Sequence, residues 1–147
     1  FKAPRALVFR AWSDPQHLMR WFCPDGFTTP LCTVDFRVGG IFHYCMRAPD
    51  GKDYHGRGVY QELVVPERIA YLDTFTDANG QVVPPSFYGI PGNEVVESLV
   101  TVTFEAQGDQ TLLTIRHALR GSAEETAGAR EGWTQMLGHL AKALAEG

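Results

Sequence analysis

Apolar residues near the C-terminal end of the chain recur at the spacing of one helical face. Intervals of three and four residues place side chains on the same stripe of an α-helix, which can then pack against a neighbouring layer. Ser122 precedes Glu125 by three positions, the spacing of a capping box that begins a helix. The pattern predicts a long amphipathic helix at the end of the chain. Its apolar stripe contains Trp133, Met136, Leu137, Leu140, Ala141 and Leu144.

Three glycines, Gly128, Gly132 and Gly138, interrupt this predicted helix. Each costs about 1 kcal/mol relative to alanine in a helix interior. We consider two reasons for them. Either they leave space beside Trp133, or they allow the helix backbone to approach a sheet closely.

Upstream of this helix, apolar and polar residues alternate with period two, which is typical of half-buried β-strands. The alternation begins with Val34, Phe36 and Val38 and stops at Gly39-Gly40, where we expect a sheet bend. Turn residues at 49–51 and 108–109 predict hairpins. The further strands are predicted over 41–46, 54–65, 68–76, 95–105 and 111–119.

Two short helices are predicted before the strands, over residues 4–12 and 15–22. Asp14 followed by Pro15 is a favourable cap and first-turn pair for the second of them. Because the strands are grouped apart from the helices, the pattern indicates an α+β fold with an antiparallel sheet facing the terminal helix.

Alternation also predicts which side chains point inward. On strand 111–119, the residues Leu113, Ile115, His117 and Leu119 share one face, so His117 lies among apolar neighbours. Val100, Val102 and Phe104 share a face of the preceding strand. On strand 41–46 both faces are apolar enough to be buried, and the pattern does not decide between them. The two faces are Phe42, Tyr44 and Met46, and Ile41, His43 and Cys45.

The composition narrows the class of protein. The hydrophobic fraction is 44% and the charged fraction 20% in 147 residues, which is ordinary for one globular domain. A net charge of −4 argues against nucleic-acid binding. A membrane-spanning helix needs about 20 consecutive apolar residues, and no run of apolar residues in the sequence is that long. Cys23, Cys32 and Cys45 lack a disulfide framework spacing, so we expect a cytoplasmic protein without disulfides.

Short segments along the chain match one known family in the same order. They are FKAP (1–4), VFRAW (8–12), DP (14–15), Trp21, Pro24, DFRVGG (35–40), GVYQE (58–62), PER (66–68), VTVTF (100–104), GW (132–133), Leu137 and Leu140. Their ordered combination resembles the homologues of the heat-shock ATPase activator, in the START and birch-pollen-allergen-like (SRPBCC) superfamily. The resemblance covers nearly the whole chain and lacks only the start of the first strand. We therefore expect a single domain over 1–147 and a natural N-terminus upstream of Phe1.

The resemblance implies a helix-grip fold, in which a curved antiparallel sheet wraps the C-terminal helix and leaves an apolar cavity between them. Superfamily members bind lipids and other hydrophobic molecules. We expect the chain to bind a small hydrophobic molecule without a cofactor, with Tyr60 and His117 as polar anchors. The expected lining is Phe42, Tyr44, Tyr60, Phe75, Phe87, Tyr88, His117, Trp133, Met136, Leu137 and Leu140.

Two other functions stay open. A few superfamily members are cyclases or hydrolases, and such chemistry here would need Glu62 and His117 to converge as an acid–base pair. An exposed Glu62 would exclude that pair. The family name instead suggests a co-chaperone-like, stress-response module with a chaperone partner. We do not assign an enzymatic activity.

A metal site is not expected. His43, Cys45 and His55 would come together across the predicted hairpin and are residue types that bind zinc. However, no CxxC or HxxxH spacing supports the trio, and a fourth ligand is not obvious.

Residues 77–93 form a predicted connection of unusual length. Its apolar residues predict packing rather than disorder. We expect Phe87 and Tyr88 to cover one mouth of the cavity, and the alternative is a contact between two copies in a homodimer.

Overall fold

The structure is a computed structural model that describes residues 1–118 and 123–146, and of residues 123–126 it describes the backbone alone. Within these residues the strands form one antiparallel sheet in sequence order. The strands are β1 (Thr28–Val34), β2 (Ile41–Arg47), β3 (Asp53–Val64), β4 (Arg68–Thr76), β5 (Ser98–Gln107) and β6 (Gln110–His117). The helices are α1 (Arg5–Ser13), α2 (Pro15–Trp21), a short 3-10 helix (Pro85–Tyr88) and α3 (Ala123–Glu146). The curled sheet faces α3, which confirms the predicted α+β helix-grip fold.

The N-terminal helices and the turn between them agree with the sequence prediction. The Asp14 carboxylate accepts a hydrogen bond from the Gln16 backbone N–H at 2.9 Å, and Pro15 occupies the first turn of α2. Asp14 therefore satisfies an N–H group that has no partner within the helix.

The register of the sheet decides which side chains face α3. Tyr60 pairs with Tyr71, Tyr71 with Val100, and Val100 with His117, which makes one row across β3 to β6. Paired residues on neighbouring strands project to the same face. Because Phe42 pairs with Gly58, two residues before Tyr60, Phe42 belongs to this inner face too. The ambiguity on β2 is thereby resolved: Phe42, Tyr44 and Met46 point inward, and Ile41, His43 and Cys45 point outward.

Two glycines of β3 make room for tyrosine rings on the inner face. A Cβ atom on Gly56 would lie 2.5 Å from the Tyr44 hydroxyl oxygen, and one on Gly58 would lie 2.7 Å from Cδ2 of Tyr71. Real Cβ atoms do not approach other atoms so closely. Because these two positions have no side chain, the neighbouring tyrosine rings can be buried against them.

Tryptophan residues join the three α-helices. The Trp12 and Trp21 ring centroids lie 4.8 Å apart, and the Trp21 indole N–H donates to the Ala11 carbonyl at 2.9 Å. Trp12 also stacks on Trp133 of α3, with a centroid distance of 6.1 Å and an interplanar angle of 27°. This aromatic cluster occupies much of the space that the sheet encloses.

Polar contacts tie α3 to the connection between α2 and β1. The Asp25 backbone N–H donates to the Gln135 side-chain oxygen at 3.0 Å, and the Asp25 carboxylate lies 2.6 Å from Nε2 of His139. These contacts join α3 to the loop that follows α2.

The predicted strand over residues 34–38 is wrong. The first strand ends where the predicted one begins, and the chain then turns through Gly39, whose φ is 82°. Phe36 lies in the turn and not in a strand, and its ring packs against Phe9, with the centroids 5.9 Å apart. The real strand escaped prediction because Pro30 weakens its pattern, although proline is tolerated at a sheet edge, where β1 lies.

The glycines of α3 do not serve close helix–sheet packing. A Cβ atom on Gly128, Gly132 or Gly138 would meet nothing within 4 Å among the described residues. That reason for them is therefore wrong. Gly128 and Gly138 are exposed, and space beside Trp133 as the reason for the glycines stays a prediction.

Three residues of the predicted pattern cannot be compared. Leu119 and Ser122 lie outside the described residues, and the side chain of Glu125 is not described. The predicted capping box and the last inward position after β6 therefore stay predictions.

Within residues 1–118 and 123–146, no helix is both long enough and apolar enough to cross a membrane.

The glycine positions on β3 yield a stability prediction. We expect Gly58→Ala to lower the free energy of unfolding by about 1–3 kcal/mol, because the new methyl group would overlap the buried Tyr71 ring. Urea unfolding measures the effect. The matched control is Gly138→Ala, which has open space and should raise stability by up to about 1 kcal/mol. Equal effects of the two substitutions would contradict the close-approach argument.

Candidate functional site

A pocket of about 310 Å³ lies between β6 and α3. The strand contributes the inward residues at its C-terminal end, and the helix contributes the face turned towards them. Its size falls within the range of small-molecule sites, which is about 300–1,000 Å³. The lining consists of Ile115, His117, Ala129, Arg130, Trp133, Thr134 and Leu137.

His117 is the central polar group of this pocket. Its Nδ1 atom accepts a hydrogen bond from the Trp133 indole N–H at 3.1 Å. An indole nitrogen can only donate, so the neutral imidazole carries its own proton on Nε2. Nε2 is buried and has no hydrogen-bond partner among the described residues. His117 thus lines the pocket and carries a buried N–H donor that has no acceptor within residues 1–118 and 123–146.

Burial lowers the pKa of His117 below its usual value of 6.5. Desolvation disfavours the charged imidazolium, so the ring is neutral near pH 7. The neutral ring can accept the indole hydrogen bond at Nδ1 and keep a donor at Nε2.

A second polar pair lies on the inner face, on β2 and β4. The Tyr44 hydroxyl donates to a carboxylate oxygen of Asp73 at 2.7 Å. Burial raises the pKa of Asp73 from its usual 3.8 to about 7, and the hydrogen bond from Tyr44 opposes part of that rise. Asp73 is therefore a carboxyl group that titrates near neutrality, a property that is common at functional sites.

Sequence reasoning missed Asp73, although a signal was present. Asp73 has the same strand phase as Tyr71 and Phe75, so alternation places it on the apolar face. A carboxyl group on a buried phase needs a hydrogen-bond partner, and Tyr44 provides it.

The structure brings three predicted site residues together and places the others elsewhere. His117, Trp133 and Leu137 line the pocket. Phe42, Tyr60, Met136 and Leu140 are buried in the core, and Tyr44 contacts the same core from its partly buried position. Sequence reasoning did not find Ala129 and Arg130, which precede the predicted stripe by about one helical turn, or Thr134, which lies between its apolar positions.

The connection over residues 77–93 packs at the ends of β3 and β4. The Tyr88 hydroxyl donates to the Thr76 carbonyl and accepts from the His55 backbone N–H. The Tyr88 ring is buried against Phe75, with a centroid distance of 5.7 Å. Phe87 is 58% exposed. Tyr88 thus fixes the connection to the sheet, whereas Phe87 projects into solvent.

The proposed acid–base pair of Glu62 and His117 is wrong. Alternation puts Tyr60 and Glu62 on one face, but an irregularity in the β3–β4 register between them moves Glu62 to the outer face. Its side chain is exposed and lies 3.3 Å from Nε of Arg68. A single inserted residue therefore reverses the phase that the sequence predicts.

The outer face carries a separate group of polar side chains on β2 and β3. Cys45, Asp53 and His55 each offer a donor atom, and these atoms lie within 4.8 Å of one another. The sequence trio contained His43 in place of Asp53. The cross-strand register explains the difference, because Asp53 follows the hairpin directly and shares the outer face with His55.

Comparison with known proteins decides the family. The family model described as "Activator of Hsp90 ATPase homolog 1-like protein" matches residues 2–145. The chain belongs to this family. A comparison with curated proteins finds no match.

Solved structures agree with the Hsp90-activator-like assignment. A protein of Arthrobacter aurescens has a TM-score of 0.79 and 27% identity, over 100% of this chain and 83% of its own. A Chromobacterium violaceum protein has a TM-score of 0.75 and 29% identity, over 97% and 90%. An AHSA1 protein of Silicibacter pomeroyi, with 24% identity and a TM-score of 0.77 over 99% and 92%, shares the fold. Membership of the Hsp90-activator-like family supports a domain of ligand-binding type.

The pKa of Asp73 predicts a pH dependence of stability. Because its folded-state pKa lies above 3.8, the folded protein binds more protons than the unfolded chain between pH 4 and about 7. Stability from this carboxyl is present at pH 3.8 and is lost as the pH rises to about 7. We therefore expect the stability of the wild type relative to Asp73→Asn to fall over that range, measured by urea unfolding.

The matched control is Glu105→Gln at the exposed end of β5, which should keep the wild-type pH dependence. A difference between wild type and Asp73→Asn that stays constant from pH 4 to 7 would contradict the raised pKa.

Proposed function

We propose that the pocket between β6 and α3 binds a small hydrophobic molecule that carries a hydrogen-bond acceptor, with an acidic head group preferred. The observation that supports this proposal is the buried Nε2–H of His117, which has no partner among the described residues. A buried donor without an acceptor costs about 1–3 kcal/mol. A ligand that supplies the acceptor would recover this free energy.

The apolar part of the ligand would contact Ile115, Trp133 and Leu137. These side chains pack against the hydrophobic core and present one side to the pocket. Of the lining predicted from the sequence, His117, Trp133 and Leu137 would touch the ligand directly. Phe42, Tyr44, Tyr60, Met136 and Leu140 would support them from the core.

Arg130 is the reason for preferring an acidic head group. It lies on the helical wall of the pocket, one turn from Thr134, and its side chain is exposed. The Thr134 hydroxyl donates to the Arg130 backbone carbonyl at 2.8 Å. A guanidinium group favours carboxylate and phosphate oxygens. The ligand would therefore place its apolar part inward and its anionic end beside Arg130.

A location in the cytoplasm belongs to the same proposal. Cys23, Cys32 and Cys45 are free and buried. Free thiols are usual in a reducing compartment. A hydrophobic acid of cellular metabolism would be available to the protein there.

Native mass spectrometry of the protein purified from its host tests the proposal. We expect an adduct of one hydrophobic molecule on the wild type and a lower occupancy on Ala129→Leu, which fills the pocket from α3. The control is Ala141→Leu, an exposed position on the same helix. Empty wild-type protein, or equal occupancy of both variants, would contradict the proposal.

Matched probes test the head-group preference. We expect lauric acid to bind the wild type about tenfold more tightly than lauryl alcohol, a difference of about 1.4 kcal/mol. Arg130→Gln should remove most of that difference, as measured by tryptophan fluorescence titration. Equal affinities of the acid and the alcohol for the wild type would reject an acidic head group.

A protein-interaction module is the second candidate function. Exposed apolar side chains concentrate in the connection after β4, where Phe87, Ile90, Val95 and Val96 are each at least 38% exposed. Such groups mark interaction surfaces, and the family description names an activator of the Hsp90 ATPase. If this segment binds a chaperone, the chain should raise the ATP turnover of an Hsp90-class protein, and Phe87→Ser should reduce that effect. Unchanged turnover would reject this candidate. Sedimentation of the wild type and of Phe87→Ser tests whether the same segment forms a homodimer.

A further inference from the structure

The outer face of the β2–β3 hairpin carries three side chains with different donor atoms. Cys45 and His55 are directly paired across the strands, and Asp53 is paired with Arg47 two residue pairs closer to the turn. Alternating residues on one strand share a face, so the thiol, carboxylate and imidazole project to the same side. Their donor atoms lie within 4.8 Å of one another.

His55 is held in place by its surroundings but has a free ring nitrogen. Its backbone N–H donates to the Tyr88 hydroxyl at 3.0 Å, and its ring stacks on His43 with a centroid distance of 5.5 Å. Its Nδ1 atom is buried and has no hydrogen-bond partner among the described residues. A buried nitrogen without a partner is unfavourable unless something binds it.

The other two groups are also fixed. Cys45 is 2% exposed, so its thiol is shielded from bulk solvent. Arg47 donates to both carboxylate oxygens of Asp53, at 2.8 and 3.2 Å. These two hydrogen bonds orient the Asp53 carboxylate on the outer face of the hairpin.

The donor set indicates the class of ion. Sulfur, nitrogen and oxygen together suit borderline-soft ions such as Zn²⁺, whereas Ca²⁺ and Mg²⁺ require oxygen ligands. Ligand atoms at about 2.0–2.3 Å from a tetrahedral Zn²⁺ lie roughly 3.3–3.8 Å apart. The donor atoms would need to close by roughly 1 Å, a rearrangement in which Asp53 would exchange part of its contact with Arg47 for the ion.

We propose that Cys45, Asp53 and His55 form a binding site for one divalent transition-metal ion of the zinc type. Cys45 would release its thiol proton to solvent and bind as the thiolate. Three protein ligands leave one position of a tetrahedral ion to water. The site lies on the opposite face of the sheet from the β6–α3 pocket, so it does not depend on the function proposed for that pocket.

Cobalt substitution tests the site, because Co²⁺ replaces Zn²⁺ and reports its ligands by absorption. With CoCl₂ added to the reduced full chain, we expect one ion per chain and a thiolate-to-cobalt charge-transfer band in the near ultraviolet. The band should be lost in Cys45→Ser and displaced by ZnCl₂. The matched controls are Cys23→Ser and Cys32→Ser, which remove the other buried thiols and should keep the band.

Titration calorimetry with ZnCl₂ provides a second measurement that does not rely on the Cys45→Ser variant. We expect Asp53→Asn and His55→Gln each to weaken binding by about tenfold or more, with circular dichroism confirming that both variants fold. Ala129→Leu in the pocket should bind zinc like the wild type. Absence of the cobalt band in the wild type, its survival in Cys45→Ser, or unchanged zinc affinity of Asp53→Asn would each overturn the proposal.

Discussion

The hydrogen bond from the Trp133 indole to His117 is the interaction on which the pocket depends. Trp133 stacks on Trp12 on one side and donates to the histidine on the other, so one side chain connects the N-terminal helices, α3 and β6. Because the indole only donates, the bond also decides which imidazole nitrogen carries the proton. The same contact that packs the helix thus prepares a donor in the pocket wall.

The aromatic side chains determine where space remains inside the fold. Gly56 and Gly58 allow the rings of Tyr44 and Tyr71 to lie flat on the inner face of the sheet. The tryptophans of α1 and α2 fill the region above them, and the pocket remains at the side where β6 meets α3. Asp73 lies on the same inner face beside the Tyr44 hydroxyl, and its burial raises its pKa.

The sequence predicted most of the fold because the helical and strand periodicities of its apolar residues are strong. The stripe around Trp133 identified α3, and alternation identified five of the six strands. It could not choose the inner face of β2, since Cys45 is buried on the outer side while Phe42 is buried on the inner side. It also misplaced Glu62, because one irregular residue in a strand reverses the phase of everything after it.

The candidate sites were harder to predict because they depend on contacts between distant elements. His117 was identified from its apolar phase, but the role of Trp133 as its hydrogen-bond donor required the position of α3 over β6. Asp53 became part of the outer cluster only through the pairing of β2 with β3. Local pattern assigns a residue to a face, and tertiary register decides which side chains meet there.

The protonation state of His117 tests the central claim most directly. A long-range ¹H–¹⁵N correlation spectrum of the histidine rings at pH 7 reports which nitrogen is protonated. We predict a neutral ring with the proton on Nε2, a change at Nε2 when lauric acid is added, and loss of the fixed tautomer in Trp133→Phe. A proton on Nδ1, or a charged ring at pH 7, would contradict it.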